Sequence, residues 1–219
     1  MQAVNKNPEG HRRDELGFRF VSGDRALDFL STLGNRHTRP VERLREPADL
    51  RRWLDEAGLR VGRRASPSDL EDARRLRETV NRLTRATLAG DPPAKDDLRE
   101  LNEWARRPPL APQAEPTLQR RWVGENSVQA ALALIAREAV QLLTSPDRSL
   151  IRECAATPNC SLLYLDRSRA GRRRWCEMEI CGSRAKMTSY RRRQSTNGRS
   201  DTTLRKSQPG RTHGDTARG

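Results

Sequence analysis

Leu70, Ala73, Leu76, Val80, Leu83 and Thr87 recur at spacings of three and four, which is one face of an amphipathic helix. Ser66 followed by Pro67 suits its start, Asp69, Glu71 and Asp72 sit where the helix dipole favours acids, and Gly90 ends it. Arg74, Arg77 and Arg85 fall on the other side among acids and read as a solvated outer face. A more apolar helix follows in NSVQAALALIAREAVQLLTSPD, where Val128, Leu132, Ile135, Ala139 and Leu142 form a seam suited to the centre of a core. Two shorter helices are predicted, one opened by Pro47 and Asp49 and stopped by Gly58, the other in AKDDLRELNEWARR after the Pro92-Pro93 break. The stretch LGFRFVSGDRALDFLSTL begins as a strand at Phe18 and Phe20, breaks at Ser22-Gly23 and turns helical through Leu27 and Leu30. PPLAPQAEPTLQRRWV reads as a short hairpin in which Leu118, Arg120 and Trp122 alternate with Gln119, Arg121 and Val123.

These patterns predict an α+β chain. A flexible stretch over residues 1–16 precedes a mainly helical domain with a small β element over 17–147, and a separate module follows over 150–194. From 195 to 219 the only large apolar residue is Leu204, too little to offset the entropy of ordering, so a disordered basic tail is expected. No stretch approaches the ~20 apolar residues of a membrane span. The first 15 residues lack the apolar centre of a signal peptide, so the expectation is a cytoplasmic, nucleoid-associated protein with no membrane partner.

Charge changes the picture mainly at the C-terminal side. The formal net charge is +14. Residues 1–149 carry 27 basic and 23 acidic side chains, whereas residues 150–219 carry 16 and 6, so attraction to a polyanion belongs to the second segment.

That segment also holds all four cysteines: Cys154, Cys160, Cys176 and Cys181. Two knuckles separated by a hairpin-length spacer can close four thiolates around one tetrahedral Zn²⁺, and no histidine lies nearby in sequence to replace one. The intervening SLLYLDRSRAGRRRW has too little apolar material to fold unaided, which argues for a crosslink. One structural zinc is the leading reading. Two disulfides or a redox-switched site are the alternatives, disfavoured in a reducing compartment.

Around such a metal the module lays out as hairpin, knuckle and helix. Leu162, Tyr164 and Asp166 continue the first knuckle as a strand, residues 167–171 turn, and residues 172–175 return. Ser183 is a plausible N-cap for a terminal helix that Met187 and Tyr190 would anchor to the zinc core. Arg184, Thr188, Arg191 and Arg192 then share a basic face.

The run RRRWCEMEICGSRAKMTSYRRR resembles the CGNR zinc finger, and LYLDRSRAGRRRWC matches that family's upstream pattern. ALDFLSTLGNR, residues 26–36, is similar to the opening motif of its companion, the ABATE domain. The tetrapeptide here is Cys181-Gly182-Ser183-Arg184, with Ser where the family has Asn. The first knuckle is one residue longer than usual, Leu162 stands where Trp is frequent, and Ser31 replaces an Asn of the N-terminal motif. The resemblance implies a bacterial transcription regulator, some relatives being linked to stress responses. Its zinc module would bind DNA and its helical domain would sense or dimerise.

The expected function is therefore a zinc-dependent DNA-binding transcription regulator. Arg172, Arg173 and Arg174 would anchor phosphates and Arg184 and Arg191 would face a groove, with Lys186, Arg192 and Arg193 completing the basic set. RNA binding is the runner-up, with Tyr164 and Trp175 as stacking platforms. A protein-interaction module is a third reading, and a homodimer and an unidentified small-molecule effector stand as further candidate partners. An enzyme is not expected, because four thiolates close the metal and neither a Gly-rich phosphate loop nor a nucleophile with a base is visible.

Overall fold

The computed structural model describes residues 17–124 and 127–204. The chain divides into two compact units, with the boundary between Glu177 and Met178.

The first unit opens with an extended segment rather than the expected strand. Phe20 stacks on Trp53 with ring centroids 6.0 Å apart, but among the described residues the segment's one backbone-to-backbone bond to a neighbour runs from Leu165 N–H to the Ser22 carbonyl, at 2.8 Å. Helix α1 (Arg25–Leu30) is capped by Asp24, whose carboxylate accepts the Leu27 amide. A minimal antiparallel pair, β1 (Leu33–Gly34) and β2 (Val41–Glu42), leads to α2 (Pro47–Glu56). There the Asp49 carboxylate reaches back to the amides of Arg45 and Glu46.

Helix α3 (Pro67–Ala89) forms as its periodicity predicts. Ser66 and Asp69 make a reciprocal capping box, and Gly90 adopts the left-handed conformation, φ 75°, which releases the chain. Its outer face is a different matter. Arg77 is only 2% exposed and meets Glu42 through two hydrogen bonds of 2.7 Å, so it is a buried clamp between α3 and β2 rather than a solvated charge. Arg74 donates to the carbonyls of Leu44 and Arg45, and Arg85 pairs with Glu153. The helix's arginines thus tie it to three other parts of the fold.

Helix α4 (Lys95–Arg106) buries Leu101 and Trp104. It is followed by the expected hairpin, β3 (Ala111–Ala114) with β4 (Arg120–Val123). Leu118 sits in its turn at φ 58° and is 89% exposed, so it does not alternate with Arg120 and Trp122 as predicted. Helix α5 (Ser127–Thr144) packs against α4, α3 and α1, and its predicted seam from Val128 to Leu142 is buried at the centre of the core.

A 3₁₀ turn (Pro146–Leu150) then delivers an antiparallel pair, β5 (Ile151–Glu153) with β6 (Leu163–Leu165), in the register Ile151↔Leu165. Both strands belong to the helical core, because Ile151, Leu163 and Leu165 lie in the same apolar cluster as α1, α3 and α5. The hairpin that carries the first two cysteines therefore does not depend on a metal alone for its packing. It borrows the core of the preceding domain, and so offsets the shortage of apolar residues noted from the sequence.

The second unit contains a π-helical turn (Met178–Gly182) running directly into α6 (Ser183–Leu204). Ser183 Oγ donates back to the Met178 carbonyl at 3.4 Å instead of capping the helix amides. Met187 and Tyr190 are 57% and 63% exposed, so they are not the anchors the sequence suggested. The helix runs on through Leu204, past the point where a tail was expected to begin, and residues 205–219 and 1–16 lie outside the described residues.

Candidate metal centre

Cys154 leaves the end of β5, and its amide donates to the Leu162 carbonyl at 3.0 Å, closing the first knuckle on itself. The returning segment is pinned to that knuckle by the Ala155 amide, which donates to the Arg174 carbonyl at 2.8 Å. These bonds bring Cys176 back beside Cys154, whose sulfur accepts the Cys176 amide at 3.4 Å. The sulfurs of Cys154, Cys160, Cys176 and Cys181 all lie within 4.8 Å of one another. All four residues are buried, at 8% exposure or less, and none is in a disulfide.

A regular tetrahedron with Zn–S distances of about 2.3 Å has sulfurs about 3.8 Å apart. Cys160 Sγ and Cys176 Sγ are 3.8 Å apart. That spacing is too long for a disulfide, and four buried sulfurs converging on one point match the donor set of a closed zinc site. The residues present therefore fit one structural Zn²⁺, held by Cys154, Cys160, Cys176 and Cys181. Such an ion supplies a crosslink and no open coordination position.

Four thiolates around Zn²⁺ carry a net charge of about −2, and the surroundings compensate. Arg19 Nη2 lies 3.9 Å from Cys176 Sγ and pairs with Glu177 at 2.5 Å. Although burial opposes its charge, the Cys176 sulfur and Glu177 hold the Arg19 guanidinium more firmly protonated than usual. Sequence reading missed this residue, since nothing local connects it to a cysteine 157 positions away.

The turn before Cys176 is organised by Asp166 and Tyr164. The Asp166 carboxylate accepts the Ser168 hydroxyl and the amides of Ser168 and Arg173, and the Ser168 hydroxyl bond above all holds its pKa below the usual carboxylate range. Tyr164 is fully buried, donates to the Arg173 carbonyl at 2.6 Å, and has its pKa pushed up to about 12 by burial. No ring edge is left for an unpaired base, which removes one of the two stacking platforms considered for RNA.

The basic residues divide sharply. The Arg173 guanidinium lies 4.4 Å over the Tyr164 ring and donates to the carbonyls of Val21, Trp175 and Cys176. It staples the N-terminal segment to the cysteine loop, so it is engaged inside the fold rather than presented as a phosphate anchor. Arg172 and Arg174 are exposed, with Arg174 stacked over Trp175 at 5.0 Å. On α6, Arg184, Lys186, Arg191 and Arg193 are exposed. The side chain of Arg192 lies outside the description.

His37, remote in sequence from the cysteines, takes no part in the sulfur cluster and pairs with Glu153 at 2.7 Å. Among the described residues no helix is long and apolar enough to cross a membrane.

Comparison with known families agrees with this architecture. Residues 23–146 match the ABATE family, described as "Putative stress-induced transcription regulator", and residues 151–194 match the CGNR zinc finger. A search of curated proteins returns no match. The two matches and the four-sulfur cluster make this a zinc-binding regulatory protein. The chain belongs to the ABATE family and carries a CGNR zinc finger after its ABATE domain.

Proposed function

We propose that the protein is a DNA-binding transcription regulator whose zinc-bound C-terminal segment contacts the duplex. The observation that carries this reading is α6, which opens two residues after Cys181. It exposes Arg184, Lys186, Arg191 and Arg193 and has no acidic residue between positions 183 and 200. A helix with that charge suits phosphates at a groove. Arg172 and Arg174 add exposed charge on the N-terminal side of Cys176. With five phosphates neutralised, log K should fall against log salt with a slope of about −4.5. The ABATE domain would carry the regulatory input. The protein is read as non-catalytic, because a four-thiolate zinc has no position for substrate or activated water.

The test is genome-wide footprinting of the zinc-loaded chain beside a Cys176→Ser variant, with single-stranded DNA and structured RNA as competitors. Discrete protected sites that vanish in the variant support the reading. Preferential capture by RNA, or protection unchanged in the variant, refutes it.

Exposed Met187 and Tyr190 favour a second reading, a protein contact along α6. A partner retained at high salt, with no nucleic acid, would establish that instead.

A further inference from the structure

The β3–β4 hairpin stands off the helical core as a two-stranded ribbon. All four residues of β3 and three of the four in β4 are exposed, and among the described residues no third strand joins them. Its footing is Trp122, whose indole N–H donates to the Gly58 carbonyl at 2.6 Å and fixes the ribbon beside the loop between α2 and α3. Two backbone bonds close the turn, from the Glu115 amide to the Gln119 carbonyl at 2.9 Å and from the Leu118 amide to the Glu115 carbonyl at 2.8 Å. They hold Leu118 in the left-handed region, at φ 58°, which glycine adopts freely and a leucine adopts only with strain at its Cβ. The same side chain is 89% exposed, so no burial within the chain offsets the strain. A strained and uncovered leucine at the tip of an arm points to a contact outside the chain.

The surroundings of that tip are basic. Arg120 and Arg121 lie on β4, and Arg60, Arg63 and Arg64 lie on the adjoining loop, all of them exposed. Arg120 sits 4.8 Å over the Trp122 ring, while Arg121 bonds Gln113 and faces Glu115, the one acid on either element. Five arginines against one carboxylate leave an excess of four, which is the whole excess of basic over acidic residues in 1–149. The rest of that span is balanced, so a polyanion attracted to the ABATE domain is drawn here. We propose that the β3–β4 hairpin and the loop over residues 58–64 form a second DNA contact, in which the arginines hold phosphates and Leu118 enters the adjacent groove as an apolar wedge. A two-stranded ribbon can enter a groove, and leucine is among the side chains that wedge between base steps. The inference rests on the DNA-binding reading and gives the ABATE domain a grip of its own.

The experiment uses the full-length, zinc-loaded chain and a mixed-sequence DNA duplex, with binding followed by fluorescence anisotropy over a salt series. Three arm arginines added to five phosphate contacts of the C-terminal segment should steepen the salt slope from about −4.5 to about −7. The triple variant Arg60→Gln, Arg64→Gln, Arg120→Gln should return it to about −4.5. Leu118→Gly relieves the backbone, so without DNA it should melt at or above the wild-type temperature. It should nevertheless bind the duplex about tenfold more weakly, the worth of covering a leucine side chain. Undiminished binding by Leu118→Gly, or an unchanged slope in the triple variant, overturns the proposal. The DNA reading itself survives that result if Arg174→Ala still weakens binding, whereas a wild-type chain that binds no duplex overturns both. Capture of the wild-type chain by phosphatidylglycerol vesicles in preference to the duplex, lost in Leu118→Gly, overturns the proposal in favour of a membrane contact.

Discussion

Arg19 and Cys176 stand 157 residues apart in sequence, yet the guanidinium of one lies 3.9 Å from the sulfur of the other. The contact means that the segment leading into the ABATE domain supplies positive charge to the zinc site. Removing an outer partner of a metal ligand typically costs 10- to 100-fold in affinity. Arg19→Gln should therefore raise the zinc dissociation constant by about tenfold in a competition titration against a chromophoric chelator, with helical content unchanged by circular dichroism. An unaltered zinc affinity would show that the contact is incidental.

Ile151, Leu163 and Leu165 share one apolar cluster with α1, α3 and α5, so the zinc hairpin and the helical domain should unfold together. Stripping the metal should lower the midpoint of a single calorimetric transition rather than abolish one of two. Two separate transitions, only one of them zinc-dependent, would contradict that coupling.

Local signals in the sequence were sufficient for much of this. Ser66, Asp69 and Gly90 mark the ends of α3 because caps act within one turn of the chain, and the seam of α5 follows from periodicity alone. Four cysteines within 28 positions likewise announce their own chemistry. What escaped sequence reading was partnership at a distance. Arg77 has the spacing of an outer-face residue, and only the fold brings Glu42 against it. Met187 and Tyr190 do share a helix face, but periodicity cannot say whether anything covers that face. The burial of all three β6 residues was equally hidden, because period-two alternation assumes one wet side, whereas Leu163 and Leu165 join the helical core and Tyr164 packs under Arg173.

The Arg77–Glu42 clamp has a pH signature. Burial pushes the Glu42 pKa up, but the hydrogen bonds and charge of Arg77 outweigh that and hold it below the ordinary glutamate value. A depressed carboxylate contributes stability above its unfolded pKa of about 4.5 and loses it as pH falls through the folded value. Glu42→Gln should cost about 2 kcal/mol at neutral pH, and the gap from wild type should narrow as the pH falls below about 4.5. Urea midpoints of the two chains across that range measure it.

Arg173 and Arg174 are adjacent and should behave oppositely. Arg173→Ala removes bonds to three backbone carbonyls and should lower the melting temperature. Arg174→Ala should leave folding intact and weaken DNA binding, with the salt slope shallower by about one unit. Melting curves and salt-dependent binding isotherms on both variants decide the point.

One zinc ion held by sulfur alone ties the cysteine loop together, and X-ray absorption at the zinc edge on the purified full-length chain tests that most directly. It should find one zinc per chain with four sulfur neighbours at about 2.3 Å. Nitrogen or oxygen in the first shell, or a substoichiometric metal content with the cysteines paired as disulfides, would contradict it.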